Sequence, residues 1–467
     1  MKKRSYLYCG LTTTLNIIIN ALTFGKYLFL EGRVTGGIFR NWARRFAYKP
    51  KNFVKPSSEQ EIIDVIKGSG SIRLFGAGHS FNDGVVSDQT LISLDDYKGI
   101  VSEDLANNRV TVRGGTRVRD VIEILRARGL AFASLPSHDA QSIAGIISTD
   151  VHGTGRDWGF VSQLVYSIKV IDGNGVPRVC LPADDLFRAA IGGVGAVGII
   201  SEVTVEAVPH FNVEQICVLE DRKWVEANLE RIIEENDHMS LYIFPFAEKC
   251  QINKWNITTQ DKSFLGDFRE FINISLDAFT SAWFGNLMAY TGTLKKFSNF
   301  AYRFKKKTDL VLESDKAFTR TIYHLHQEFE FTIPYKDAIK ECNNFLKLFE
   351  DMYLAEPKEL PYTLLEVRFT PGDSTKALIG AGQGERRCWI DLICNDTHGF
   401  EKYYAASEEE IKKIKARPHL GKFGLTFDKS YMASLYGENF DKFLLLMQQH
   451  DPQEKFANPL TRRLFRN

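Results

Sequence analysis

Paired cysteines are missing from this 467-residue chain. Its seven cysteines are scattered at positions 9, 180, 217, 250, 342, 388 and 394. No two form a Cys-x-x-Cys motif, and Cys388 and Cys394 have no neighbouring histidine pair, so neither a zinc site nor a disulfide framework is expected. Free thiols in a reducing compartment fit that scatter. An excess of one charge is also lacking: 59 Lys and Arg stand against 58 Asp and Glu, a net charge of +1. Nothing in that balance calls for nucleic acid, which usually needs a basic face. No internal repeat is evident. Lys2, Lys3 and Arg4 precede an apolar run from Tyr6 to Phe24, but no small-residue cleavage site follows. Thr12, Thr13, Thr14, Asn16 and Asn20 interrupt the run. Residues 1–40 are therefore read either as a membrane-associating segment or as a packed N-terminal helix.

With 44% hydrophobic and 25% charged residues, the chain reads as globular, and its length is too great for one core. Short strands and helices crowd residues 41–210. Ser57 or Ser58 caps a helix that begins with Glu59 and Glu61. The strand Ile72–Phe75 runs into Gly76-Ala77-Gly78-His79-Ser80-Phe81-Asn82. Beyond Pro209 the segments lengthen and carry many aromatics, up to the basic cluster at 303–307. A helix is expected over 335–353, strands over 362–369 and 388–394, and a helix over 407–415. The tail from Phe440 to Phe465 reads as helical, broken at Asp451-Pro452. The division is thus 41–210, 211–423 as a second domain, and 424–467 as a tail.

Four stretches could carry chemistry. Glycines after a strand, as at Gly76 and Gly78, let backbone N–H groups approach a pyrophosphate. In the same loop, His79 is either a nucleophile or a hydrogen-bonded loop residue. The run Ser134–Gly155 packs Ser137, Ser142, Gly145, Ser148, His152 and Gly153 between apolar anchors, as a chain wrapped round a rigid polar ligand would. Gly193-Val194-Gly195-Ala196-Val197-Gly198 spells the dinucleotide-binding pattern. A helix precedes it and a strand follows, however, which is the reverse of the order a Rossmann site needs. Glu366 and Arg368 alternate onto one strand face, either to grip a polyol or as a surface ion pair. Arg417-Pro418-His419-Leu420-Gly421-Lys422 gathers two cations and an imidazole.

Together these motifs resemble the vanillyl-alcohol-oxidase-type flavoproteins, in the branch of sugar-1,4-lactone (gulonolactone and arabinonolactone) and alditol oxidases. The resemblance covers residues 41–210 and resumes at 329–334, 365–370, 417–422 and 451–465. It implies an α+β, two-domain fold: a PCMH-type FAD-binding domain of two α/β subdomains, and a cap domain whose β-sheet is flanked by helices. The cofactor it implies is FAD, bonded covalently to His79. Gly76–Asn82, Ser137–Gly155, Gly198 and Ile200 would hold it, and the tail would return to the FAD domain. Glu366, Arg368, Lys422 and His419 would bind and polarise a CH–OH group. A hydride would then pass to flavin N5, with O₂ or another acceptor reoxidising the flavin. By its ordinary pKa, His419 suits proton exchange.

Two departures stand out. The family's tryptophan is Leu420 here, and Val151, preceded by Asp150, replaces a threonine. The Asp-Val-His-Gly sequence is similar to decaprenylphosphoryl-ribose oxidases, which lack the linking histidine. Their likeness brings in an alternative, a membrane-associated dehydrogenase of a lipid-linked sugar. The partners expected are a sugar, polyol or lactone substrate and an electron acceptor. Localisation is cytoplasmic or membrane-associated, in the second case through residues 1–30. No cysteine lies within 134–155, so no second flavin bond is expected.

Overall fold

Ser58 accepts a hydrogen bond from the N–H of Glu61 at 3.2 Å and so starts the helix Glu59–Gly68. The helix buries Ile62, Ile63 and Ile66 against a small parallel sheet formed by Asn52–Val54, Thr90–Ser93 and Ile72–Phe75. A second, antiparallel sheet of five strands takes in Ile100–Asp104, Arg109–Arg113, Val165–Ile171, Pro177–Cys180 and Ile199–Glu206. Mixed helices and strands of this kind were expected for residues 41–210. The computed structural model describes residues 6–23, 32–87, 89–302, 308–320, 322–424 and 426–466. The basic residues Lys2, Lys3 and Arg4 and the 303–307 cluster lie outside them.

Beyond residue 211 an eight-stranded antiparallel sheet dominates. Its strand alternation sorts side chains cleanly. Met239, Leu241, Ile243, Leu365, Val367, Phe329, Phe331, Ile390 and Leu392 join the main hydrophobic core on one face. Ser240, Tyr242, Glu366, Arg368, Glu328, Glu330 and Asp391, one residue out of phase, form the other. That polar face turns towards the Gly76–Ser80 loop.

Two helices differ from expectation. The one placed at 407–415 begins earlier and spans Phe400–Lys413, because Gly399 in the left-handed region opens it where no capping side chain announces it. The tail is three helices, Lys429–Tyr436, Glu438–His450 and Pro459–Phe465. It packs back on the first half: Ile72 N–H donates to the Lys455 carbonyl at 2.7 Å, and Gly173 N–H to that of His450 at 2.8 Å.

The N-terminal run forms a helix, Tyr6–Thr23, with inverted amphipathicity. Thr13, Asn16 and Asn20 are buried, whereas Leu7, Leu11, Leu15, Ile18 and Leu22 face outward at helical spacing. Trp283 Nε1 donates to Thr14 Oγ1 at 3.1 Å, and Asn16 Nδ2 to the Tyr323 carbonyl at 3.4 Å. Among the described residues no helix is long and apolar enough to cross a membrane.

Candidate active site

The Gly76–Ser80 loop leaves its strand through a turn that needs glycine. Gly78 has φ +64°, and a Cβ there would lie 2.6 Å from the Cα of Gly32; a Cβ on Gly76 would meet Ser142 Oγ at 2.0 Å. The loop therefore lies directly against the start of the helix Ile143–Ser148, whose Ser142 cap accepts from the N–H of Gly145 at 3.2 Å. Between them runs an open cleft of about 890 Å³, solvent at its mouth included, lined by Gly76, Ser142, Gly145, Ser148, Gly198 and Ile200. Phe456 and Leu460 from the tail add a wall to it. Buried Arg73 fastens this region by donating to the carbonyls of Gly84 and Val194 at 2.5 Å and of Phe456 at 3.2 Å. As its order implied, the Gly193–Gly198 segment is a turn between the helix Asp185–Ala190 and the strand Ile199–Glu206.

His79, Ser80, Gln141 and Thr149 also border a second cavity of about 720 Å³, so the two are contiguous. The second is roofed by the polar face of the eight-stranded sheet. Phe81, Ser137, His152, Glu366, Arg368, His419 and Lys422 all line it. Of the sequence-derived candidates, Ala77, Gly78 and Asn82 fall with the first cavity. Gly153 falls outside both and borders a third.

Charges are densely coupled in this second cavity. Arg368 does not pair with Glu366 at the surface. It is buried, and its Nη2 donates to Glu330 Oε1 at 2.5 Å and lies 3.7 Å from Asp391. Lys422 Nζ contacts Glu328 and lies 3.3 Å from Asp391 and 3.7 Å from Glu330. Burial alone would discharge Lys422, but Asp391, Glu328 and Glu330 raise its pKa above the ordinary value and keep it charged. Burial would likewise raise the Glu330 carboxyl; Arg368, His152 and Lys422 hold it well below the usual range. Burial, with Glu328 and Glu330 alongside, pushes Asp391 well up against the pull of Lys422, so the charge on Lys422 rests chiefly on Glu328 and Glu330.

His152 stacks on Trp389 with ring centroids 3.7 Å apart. Its Nδ1 lies 2.8 Å from the Gly153 carbonyl, which places a proton there, and its Nε2 faces Glu330 Oε1 at 3.1 Å. His419 differs from expectation. Gly421 N–H donates to its Nδ1 at 2.9 Å, and burial lowers its pKa to about 3. It is therefore a neutral hydrogen-bond donor through Nε2, not the proton acceptor its ordinary pKa suggested. His152, Glu330 and His419 have metal-ligand spacing, but Arg368 and Lys422 already supply the cations that neutralise Glu330.

Glu328, Glu330 and Asp391 escaped the sequence reading. The Glu-Phe-Glu-Phe alternation at 328–331 was the available signal, and it reads as an ordinary half-solvated strand.

A family model described as D-arabinono-1,4-lactone oxidase matches residues 203–464, and one described as an FAD binding domain matches residues 50–180. The chain belongs to the D-arabinono-1,4-lactone oxidase family. Within it, the chain is 26% identical to the L-gulono-1,4-lactone dehydrogenase of Mycobacterium tuberculosis over 91% of this chain and 99% of that one. The L-gulonolactone oxidase of Bos taurus is also 26% identical, over 91% and 98%. Over 46% of this chain and 42% of the relative, identity to the D-arabinono-1,4-lactone oxidase of Candida glabrata reaches 31%. In fold, the chain is similar to the cholesterol oxidase of Brevibacterium sterolicum, with a TM-score of 0.74 and 17% identity over 92% and 96%. This lactone oxidase family member is an FAD-dependent oxidoreductase acting on CH–OH donors.

The cavities fit FAD on their own chemistry. A glycine cradle suits a pyrophosphate. His79 Nε2 is buried with no hydrogen-bond partner among the described residues. Such an orphan is costly unless a ligand engages the ring.

Proposed function

We propose that the protein oxidises the CH–OH carbon of a sugar lactone over a flavin tethered to His79. The observation supporting this reading is the junction of the two cavities at His79, with Arg368, Lys422 and Glu330 clustered opposite. Gly76–Asn82, Ser137, Ser142, Gly145, Ser148, Gly198 and Ile200 hold the cofactor, and His152 and Gly153 flank it. When bound, FAD supplies the hydride acceptor. Arg368 and Lys422 donate to the reacting oxygen, pre-oriented by Glu330 and Asp391 so that no reorganisation is needed as charge develops. Glu366 accepts from a neighbouring hydroxyl, and His419 Nε2 donates to another. The reacting hydroxyl's proton is removed within the same pocket, where His152 Nε2 and the Glu330 carboxylate stand 3.1 Å apart.

Anaerobic titration tests the reading. D-Arabinono-1,4-lactone and L-gulono-1,4-lactone are expected to bleach the flavin absorption, and alditols to do so more slowly. If no lactone and no alditol bleached it, the reading would fall.

The outward stripe of the Tyr6–Thr23 helix supports peripheral membrane attachment. Next to it, Phe268, Leu276, Phe284, Leu287 and Tyr290 are exposed on the helical segment that carries Trp283. Patches this apolar rarely face water, and an interfacial helix buries such a face at the boundary between headgroups and acyl chains. The full chain should co-sediment with anionic phospholipid vesicles. The double variant Leu11→Lys/Leu15→Lys should lose most of that binding while keeping its flavin spectrum. Equal sedimentation of both proteins would refute the attachment.

A further inference from the structure

The polar face of the eight-stranded sheet does not stop at the catalytic strands. Cross-strand register sets Glu330 beside Asp391, Asp391 beside Glu366, and Glu366 beside Tyr242. In the adjacent row, Arg368 lies beside Ser240, and Ser240 beside Asn253. The strands His238–Ile243, Lys249–Thr258 and Asn212–Asp221 carry none of the residues assigned above to the reaction. They nevertheless continue the polar face with Ser240, Asn253 and Gln215, all buried. Burying amides and hydroxyls is unfavourable unless they are paired. The pairing here is partial: Gln251 Nε2 donates to Asn253 Oδ1 at 2.6 Å, Asn253 Nδ2 to Ser240 Oγ at 3.1 Å and Trp255 Nε1 to Gln215 Oε1 at 3.0 Å, while among the described residues the Gln215 amide nitrogen makes no hydrogen bond.

These groups face a third, open cleft of about 670 Å³ with the solvent at its mouth included, which shares Ser137, Glu366 and Arg368 with the catalytic one. Arg320 borders it, with its guanidinium 5.6 Å from the centre of the Tyr242 ring. Among the described residues, the Arg320 guanidinium and the Glu366 carboxylate make no hydrogen bond and no ion pair. A charged donor and a charged acceptor therefore line one space, with amides and hydroxyls between them.

We infer that this cavity is a second carbohydrate subsite, which takes a neutral, hydroxyl-rich extension of the substrate such as a glycosyl group on the lactone. The inference rests on the lactone-oxidising reading of the adjoining cavity. Each hydroxyl both donates and accepts, so one sugar can satisfy Glu366 and Arg320 together. An anionic extension meets Glu366 and Glu270, which both line the space, and an apolar one leaves the charged groups unpaired. Arg320, Asn253 and Gln215 are specificity determinants in this scheme and take no part in the chemistry.

The test compares kcat/KM of the holoenzyme for an aldono-1,4-lactone with that for the same lactone carrying a neutral glycosyl substituent. The extended lactone is expected to be favoured by about ten-fold, the gain from one well-made hydrogen bond or two. Arg320→Met and Asn253→Leu should each abolish that preference, with less than a two-fold change for the simple lactone. Equal kcat/KM for the two lactones, or equal losses on both in the variants, would overturn the subsite. Calorimetric titration with a neutral, non-reducing disaccharide supplies a readout independent of turnover. Binding by the wild type that Arg320→Met weakens supports the subsite even if no lactone is oxidised. Absent binding, or tighter binding of a uronate, would sink it. Failure of every lactone to bleach the flavin, with disaccharide binding intact, would count against the reaction alone.

Discussion

Arg368→Met should slow flavin reduction by lactone roughly 10²-fold or more, the scale of one lost preorganised donor. Methionine keeps most of the volume and removes the charge. The loss should fall on the rate of reduction at saturating substrate more than on KM, since the donor acts chiefly as negative charge grows on the reacting oxygen. Arg368 is also structural, because its Nη2 lies 2.5 Å from Glu330 within a buried cluster. Removing one partner of such a pair costs about 3–5 kcal/mol, so the single variant should also melt lower. Arg368→Met/Glu330→Gln separates the two effects: neutralising the stranded carboxylate should recover much of the stability and none of the rate. A single variant that melts lower yet reduces its flavin at the wild-type rate would remove Arg368 from the chemistry.

The second large effect is all-or-none. Acid precipitation of the wild type should leave a yellow pellet, and His79→Ala should leave a colourless pellet under a yellow supernatant. Burial and neighbouring His138 hold the His79 ring well below its ordinary pKa, so it keeps its lone pair across the whole physiological range. A neutral, desolvated imidazole is a competent nucleophile towards an electrophilic carbon. His79→Ala should still bind FAD, because the glycine cradle and the Ser142 cap are untouched. Colour released from the wild type by acid would show a cofactor held without the bond, and the orphaned Nε2 would then need another partner.

Local signals were legible in the sequence wherever the deciding contact lies close along the chain. Ser58 and Glu59 announced their helix, and the reversed order around Gly193–Gly198 ruled out a Rossmann turn. Alternation put Glu366 and Arg368 on one face. It could not say that Arg368 pairs with Glu330, because that contact spans 38 residues and passes through an intervening strand. Three carboxylates round Lys422 look in sequence like the solvated faces of two unrelated strands, and only the register of the sheet makes them one cluster. His419 misled for a related reason: burial and the Gly421 N–H, neither visible in composition, fix its protonation. The helix Phe400–Lys413 was placed late because its start lacks a capping side chain. The helix Lys429–Tyr436 was overlooked although Asp428 accepts from the N–H of Tyr431 at 2.8 Å.

The way Phe456 and Leu460 wall the cavity between Gly76 and Ser142 has a consequence for biosynthesis. Gly76, Ser142 and Gly198 leave the ribosome long before the segment that completes their pocket. Nascent chains fold from the N-terminal side as they emerge, so the five-stranded sheet forms while its cradle is still open on one side. The pocket is therefore complete only once the tail has packed back. A chain interrupted before residue 456 would lack that wall of the pocket, and Arg73 would lack one of its three carbonyl partners.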